Sequence, residues 1–352
     1  MRIVSVVGAR PQFVKVAPVA AAMEGRADHL IVHTGQHYDE LMSDVFFRDL
    51  GIPAPAVNLA VGSGSHGRQT GLMIEGLERE FEALSPDWVL VYGDTNSTVA
   101  AALAAVKLHL PVAHLEAGLR SFNRRMPEEH NRVLTDHAAD LLLAPTRAAM
   151  AHLEREGLAE RSRLVGDVMT DVLHRTRDRV LAESRPAPHG LPTGGYYVAT
   201  IHRPDNTDDP ERLRAIVGAL AELPHPVLLL AHPRLRSLAA QHGIALETGG
   251  LRVSEPLAYP ELVSAVLNSA GVVTDSGGLQ KEAFLLRVPA TTLRRETEWM
   301  ETVDLGWNVL VNEPEQIAAA VSRPVPNATD ATPYGDGHAA EAVVDELLGE
   351  SR

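Results

Sequence analysis

The sequence predicts an α/β protein with two Rossmann-like parallel-sheet domains facing a cleft. Three observations lead there. Short runs rich in Val, Leu and Ile recur without polar alternation, helical stretches separate them, and a Pro/Gly-rich passage divides them into two sets of the same rhythm. Unalternating runs suit strands buried on both faces of a parallel sheet. A length of 352 residues favours two domains over one.

The first set of runs falls at 2–8, 29–35, 88–94, 111–116, 140–145 and 163–166. Between the third and fourth, the Ala-rich stretch Thr95 to His109 reads as a crossover helix. A βαβ unit follows, so both strands are parallel and end on one edge of the sheet. A helix at about 168–183 leads into the passage Ser184 to Gly195, which reads as a linker. The second set lies at 196–202, 226–232, 251–254, 271–275, 288–293 and 308–311. After a turn at Pro333-Tyr334-Gly335-Asp336-Gly337, a last helix at about 337–349 is expected to pack back on the first domain. The expected divisions are 1–167 and 168–335, with 336–352 as the returning helix.

Composition narrows the function. The net charge of −14 argues against nonspecific nucleic-acid binding, which needs cations against phosphates. With no cysteine there is no disulfide, thiol catalysis or Cys-ligated zinc. No segment approaches the roughly 20 apolar residues of a membrane helix. The N-terminus, broken by Gly8 and Arg10, reads as a buried strand rather than a signal peptide, so the expected address is the cytoplasm.

The chemistry gathers at strand ends, where open α/β sheets bind ligands. Asp94 follows the strand ending Val91-Tyr92-Gly93, Glu116 follows the next, and Glu128 and Glu129 come after the turn-rich segment Arg124 to Pro127. Taken singly, each has a plain structural role: Asp94 as a helix N-cap, Glu116 as a partner for Arg120, Glu128 as a first-turn helix acid. Together at one cleft they suggest acid–base chemistry. Arg10 and Lys15 flank the first strand-to-helix turn, where they can neutralise a diphosphate. In the second half, His202-Arg203 and Asp275-Ser276-Gly277-Gly278 follow strands, and the latter opens a helix whose N–H groups suit a phosphate. Glu282 lies six residues after Ser276 on that helix, where a carboxylate serves either as an acceptor for a ribose or, as is usual, as a solvated helix acid. Neither G-x-G-x-x-G nor a Walker loop follows the first strand, and no His-Glu-x-x-His occurs, so NAD, ATP and metal roles lack their signals.

In combination these motifs resemble the non-hydrolysing UDP-N-acetylglucosamine 2-epimerases. The residues concerned are Gly8-Ala9-Arg10-Pro11 with Lys15, Thr34-Gly35-Gln36-His37, Gly93-Asp94-Thr95, His114 to Arg120, Pro127-Glu128-Glu129 with Asn131-Arg132, His202-Arg203, Thr274 to Gly278 with Glu282, and Pro333 to Gly337. They run in order over essentially the whole chain. The resemblance implies a glycosyltransferase-B-like fold and a UDP-sugar substrate in the cleft. It further implies a homodimer, no cofactor, and epimerisation at C2 through a 2-acetamidoglucal. By position it makes Asp94, Glu116, Glu128 and His202 catalytic. It brings Arg10 and Lys15 near the substrate, assigns Ser276, Gly277 and Gly278 to the diphosphate, and gives Glu282 the ribose. Trp299 stands where many members have arginine, and Gln36-His37-Tyr38 lacks the arginine of the segment that binds an activating UDP-sugar in some members. The stretches Arg295 to Trp299 and Ser121 to Pro127 look like a branch that includes epimerases of UDP-2,3-diacetamido-glucuronate. Hydrolysing epimerases and glycosyltransferases of the same fold are the rival readings.

Overall fold

In the computed structural model, the apolar runs form two wholly parallel sheets, described over residues 1–36 and 51–349. The first contains β1 (Arg2–Val7), β2 (Asp28–His33), β3 (Val57–Asn58), β4 (Trp88–Tyr92), β5 (Val112–Leu115), β6 (Leu141–Ala144) and β7 (Ser162–Leu164), in the order β3-β2-β1-β4-β5-β6-β7. Its strands explain their own lack of alternation. Ile3, Val7, Leu90 and Tyr92 face one core, while Val4, Val6, Val89 and Val91 face another. Both faces are covered, so apolar residues dominate both, with buried polar exceptions such as Ser5 and His114. β3 is the strand that pattern reading does not find; at two residues it is too short to carry a periodicity.

The crossover helix Asn96–Lys107 starts where Thr95 accepts a bond from the Thr98 N–H, and its alanines pack into the second core. The chain's final helix, Ala339–Leu348, presents Ala339, Ala340, Val343, Val344 and Leu347 to the core that also holds Phe13, Val16 and Met23 of the helix Arg10–Met23. Its first N–H groups, Ala339 and Ala340, donate to the buried Asp171 carboxylate at 3.1 and 2.7 Å. A negative charge there also suits the helix dipole. Tyr334 O accepts the Asp167 N–H at 2.9 Å, tying the same segment down. The chain divides accordingly into one unit of Met1–Val172 with Thr332–Arg352, and another of Leu173–Ala331.

The second unit's sheet holds β8 (Tyr197–Thr200), β9 (Val227–Leu230), β10 (Leu251–Ser254), β11 (Gly271–Thr274), β12 (Ala290–Leu293) and β13 (Asn308–Val311), in the order β10-β9-β8-β11-β12-β13. In each sheet the chain order reverses once, between β1 and β4 and between β8 and β11. Such reversals open crevices at the carboxyl ends of the strands. Among the described residues no helix is long and apolar enough to cross a membrane.

Candidate active site

At the first reversal, β4 runs out at Tyr92 and the chain turns through Gly93, whose φ is +63°. A Cβ at that position would sit 3.1 Å from Glu116 Oε2 and 3.3 Å from Lys15 Nζ. Glycine is therefore required twice over, by conformation and by crowding. Next along the sheet, β5 ends at Leu115, and Glu116 itself has φ +76°, a left-handed backbone that a non-glycine residue adopts at a cost of about 1–3 kcal/mol. Glu116 pairs with Lys15, both side chains being largely buried (16% and 14% exposed). Burial alone would lower the lysine's pKa, but Glu116, with Asp94 and Asp167 behind it, outweighs that and raises it. The ammonium is fixed as a cation beside two acids. Gln12 locks the turn beneath, accepting from the Gly8 and Ala9 N–H groups and donating to Tyr92 O at 2.9 Å.

One helix, Pro127–Ala138, organises the rest. Arg132 donates to Asp94 Oδ2 from Nε at 3.0 Å and Nη2 at 2.6 Å, and to Glu129 at 2.9 Å. Asn131 Nδ2 holds Asp94 O at 2.9 Å. Glu129 is buried and accepts from Ser121 and Phe122; burial would raise its pKa, yet these bonds and Arg132 hold it below the usual range. One turn deeper, Asp136 meets His114 Nδ1 at 2.6 Å, Arg120 at 2.7 Å and the Gly118 N–H at 3.0 Å. His114 Nε2 in turn donates to Gly93 O at 2.7 Å. Buried charge is tolerated here because each group is paired and bonded. A continuous network thus runs from Asp136 through His114 to the residue before Asp94.

These placements answer the structural alternatives. Glu116 pairs with Lys15 and not with Arg120, which is taken by Asp136 and Glu156. The cap of the crossover helix is Thr95, leaving Asp94 to Arg132. Glu128 is the first-turn acid of Pro127–Ala138 that its structural alternative describes, and is exposed; among the described residues it has no hydrogen-bonded or ionic partner. Asp94, Glu116 and Lys15 are brought together, with Glu128 on the helix that holds Asp94. Arg10 begins the helix Arg10–Met23, while its side chain, like His37 and Tyr38, lies outside the described residues.

At the second reversal, Asp275 follows β11 and is fully buried. Its carboxylate accepts from the His202 N–H at 3.1 Å, the Arg203 N–H at 2.9 Å and Asn206 Nδ2 at 3.0 Å, and meets His202 Nδ1 at 3.0 Å. Burial pushes its pKa up, but these donors outweigh burial and hold it below the carboxylate range. With Nδ1 engaged, the half-exposed His202 keeps Nε2 for outside chemistry. Ser276 occupies the N-cap of the helix Gly277–Leu285 without making a capping bond, so its first-turn amides keep their capacity for an anion. A Cβ at Gly277 would lie 2.4 Å from Glu298 Oε1, so the Glu298 side chain would have to move aside. Glu282, on the same helix, accepts from Tyr259 Oη at 3.1 Å.

Sequence reading did not single out Arg132, Asp136, His114 or Asp275 as site residues. His114, Arg132 and Asp275 do lie within the motifs that carry the resemblance, and the pairing of Thr274 with Thr200 sets Asp275 beside the chain entering His202. No group of three or more His, Asp or Glu side chains is arranged to hold a metal among the described residues.

The first unit thus carries an acid cluster on its sheet edge, and the second unit carries an open helix start on its own. Comparison with known proteins identifies the group. A family profile described as UDP-N-acetylglucosamine 2-epimerase matches residues 20–348. The UDP-2,3-diacetamido-2,3-dideoxy-D-glucuronate 2-epimerase of Pseudomonas aeruginosa is 44% identical over 359 residues, covering 99% of each chain. A UDP-N-acetylglucosamine 2-epimerase of Methanococcus maripaludis is 38% identical over 362 residues, covering 99% of this chain and 98% of that one. The crystal structure of the Methanocaldococcus jannaschii UDP-GlcNAc 2-epimerase, in complex with UDP-GlcNAc and UDP, superposes with a TM-score of 0.81 at 36% identity over 100% of both chains. That of the Neisseria meningitidis enzyme, bound to UDP-GlcNAc, gives 0.86 at 28% identity over 99% of this chain and 100% of that one. The chain belongs to the UDP-N-acetylglucosamine 2-epimerase family, and its fold is glycosyltransferase-B-like.

Proposed function

We propose that the protein epimerises a UDP-2-acetamido sugar reversibly at C2, as in the interconversion of UDP-N-acetylglucosamine and UDP-N-acetylmannosamine, without net hydrolysis. The C2 proton of such a sugar is not next to a carbonyl, so no ordinary side-chain base removes it directly. Expelling UDP from C1 solves this: positive charge building at C1 acidifies C2–H. A carboxylate takes the C2 proton, a C1–C2 double bond forms, and UDP leaves with the electrons of the C1–O bond. A protonated acid then returns a proton to the opposite face of C2, and a phosphate oxygen re-forms the bond at C1.

The observation that carries this reading is the convergence of Asp94 and Glu116 on one sheet edge, each matched by its own cation. Carboxylates so held are suited to proton transfer and to charge at C1. Glu128, exposed on a helix fixed by three of its neighbours, is suited to the second face. The amides of Ser276 to Gly278, with Arg10, take the departing diphosphate; Glu282 takes the ribose; and His202, oriented by Asp275, works at the leaving group. Lys15 pairs with Glu116 at the sheet edge. Its raised pKa means that it stays charged through neutral pH.

The test is proton and phosphorus NMR of the products from UDP-N-acetylglucosamine alone. The C2 epimer with UDP still attached is expected. Free N-acetylmannosamine with UDP would mean a hydrolysing epimerase, and unchanged sugar without an acceptor would mean a glycosyltransferase. A second substrate reading, UDP-2,3-diacetamido-glucuronate, is favoured by the 44% identity to the Pseudomonas enzyme. The chemistry at C1 and C2 is the same for both; the sugars differ in their groups at C3 and C6.

A further inference from the structure

The carboxyl edge of the second sheet carries another feature beside the Ser276 loop. A cavity of about 520 Å³ opens at the ends of β8, β12 and β13, lined by Arg203, Arg212, Arg294 and Arg295 against only two acids, Asp205 and Glu296. On a chain of net charge −14 this is a local excess of positive charge. Of the four guanidinium groups, only that of Arg294 makes an ion pair among the described residues. Arg212 bonds Asn206 Oδ1 at 3.0 Å and Asn312 O at 2.8 Å, and Arg295 bonds Asn312 Oδ1 at 3.0 Å; all three acceptors are neutral. Arg294 has a carboxylate, Glu298 at 2.9 Å. The Arg203 guanidinium has no partner among the described residues, although its main chain is pinned by Asp275. Two guanidinium groups are thus oriented by amides while keeping free N–H donors, and a third is unspent.

We propose that this cavity is a carboxylate subsite, taking the C6 carboxylate of a UDP-2-acetamido hexuronate. The inference rests on the epimerase reading and selects the acidic sugar within it. A planar guanidinium fork matches a carboxylate with two parallel hydrogen bonds, and charge-assisted bonds of this kind are the strong ones. The diphosphate of the same substrate has a separate acceptor in the open helix start at Ser276. Glu298 lies close to both places, its Oε1 near Gly277 and its Oε2 on Arg294.

The experiment compares UDP-N-acetylglucosamine, UDP-2,3-diacetamido-glucuronate and UDP alone, using the full chain and the variants Arg203→Gln and Arg295→Gln. The wild type is expected to have the higher kcat/KM for the acidic sugar. Each variant should lower the acidic-to-neutral ratio of kcat/KM at least tenfold, chiefly through KM, while the Kd for UDP moves less than twofold. Arg295→Lys, which keeps the charge but not the fork, should recover part of the ratio. An unchanged ratio overturns the inference, and so does a fall in UDP affinity parallel to the loss of sugar, which would assign the cavity to the diphosphate. A wild type that epimerises only the neutral sugar also overturns it while leaving the C2 chemistry intact. Turnover of neither sugar would sink the epimerase reading and the subsite together.

Discussion

Replacing Gly93 by alanine tests the link between backbone and chemistry most sharply. The residue has φ +63°, and the added Cβ would meet Glu116 Oε2 at 3.1 Å and Lys15 Nζ at 3.3 Å. The left-handed backbone costs an L-residue about 1–2 kcal/mol. Crowding a packed site adds about 1–3 kcal/mol more. In a domain of this size each kcal/mol moves Tm by about 2–4 °C, so the first unit's transition should fall by about 4–20 °C. Gly157 supplies the control, because its φ is +76° and nothing lies within 4 Å of the added methyl. Gly157→Ala should show only the backbone part, and its kcat should be that of the wild type. Gly93→Ala must also displace the Lys15–Glu116 pair by some tenths of an ångström, and misplacement of reacting groups by 1 Å costs about 10²-fold. A kcat loss of tenfold or more is therefore expected beside the lower Tm, measured by calorimetry and NMR turnover. A Gly93→Ala protein no less stable than Gly157→Ala, with undiminished kcat, would refute the reasoning.

Three further outcomes follow from the same geometry. Glu128→Gln should leave stability within about 0.5 kcal/mol, since the side chain is exposed, yet lower kcat by about 10²–10⁴, as loss of an acid–base group does; equal kcat would remove it from the mechanism. Asp136→Ala strands the buried His114 and Arg120 and should cost about 3–5 kcal/mol in urea unfolding, against less than 1 kcal/mol if the network were solvated. Asp275 has its folded pKa below its unfolded one, so its contribution is present above the usual carboxylate range and is lost as pH falls through the depressed value. Asp275→Asn should therefore lose about 3 kcal/mol at pH 7, with the gap to the wild type closing on acidification below about pH 4; a gap that widened instead would reverse the assignment.

Much of the fold was legible because parallel strands with two covered faces are mostly apolar on both, and each long run in the sequence overlaps a strand. β3 escaped because two residues hold no pattern. The candidate site was legible where acids follow strands, since topology alone carries Asp94 and Glu116 to one edge. The pairing of those acids was not. Glu116 and Arg120 are spaced as partners on a helix, but φ is +76° at Glu116 and +81° at Gly118, so no helix forms and the spacing rule has no surface to act on. The true partner, Lys15, comes from 101 residues away through the adjacency of β1, β4 and β5. Asp275 was quoted within a motif but not given a role, because the strand bearing it is separated from β8 by two intervening strands of sequence. Helix Pro127–Ala138 follows a turn-rich lead-in, and Pro127 at its start is the signal that sets Glu128 in a first turn.

The central claim is that the C2 proton is removed and replaced from solvent while UDP leaves C1 and returns. Turnover in D2O, stopped at partial conversion and read by NMR and mass spectrometry, tests it directly. The account predicts a single deuterium at C2 of the product epimer, entering the substrate pool as the reaction reverses, with UDP reattached at C1. Epimerisation that keeps protium at C2 would contradict it.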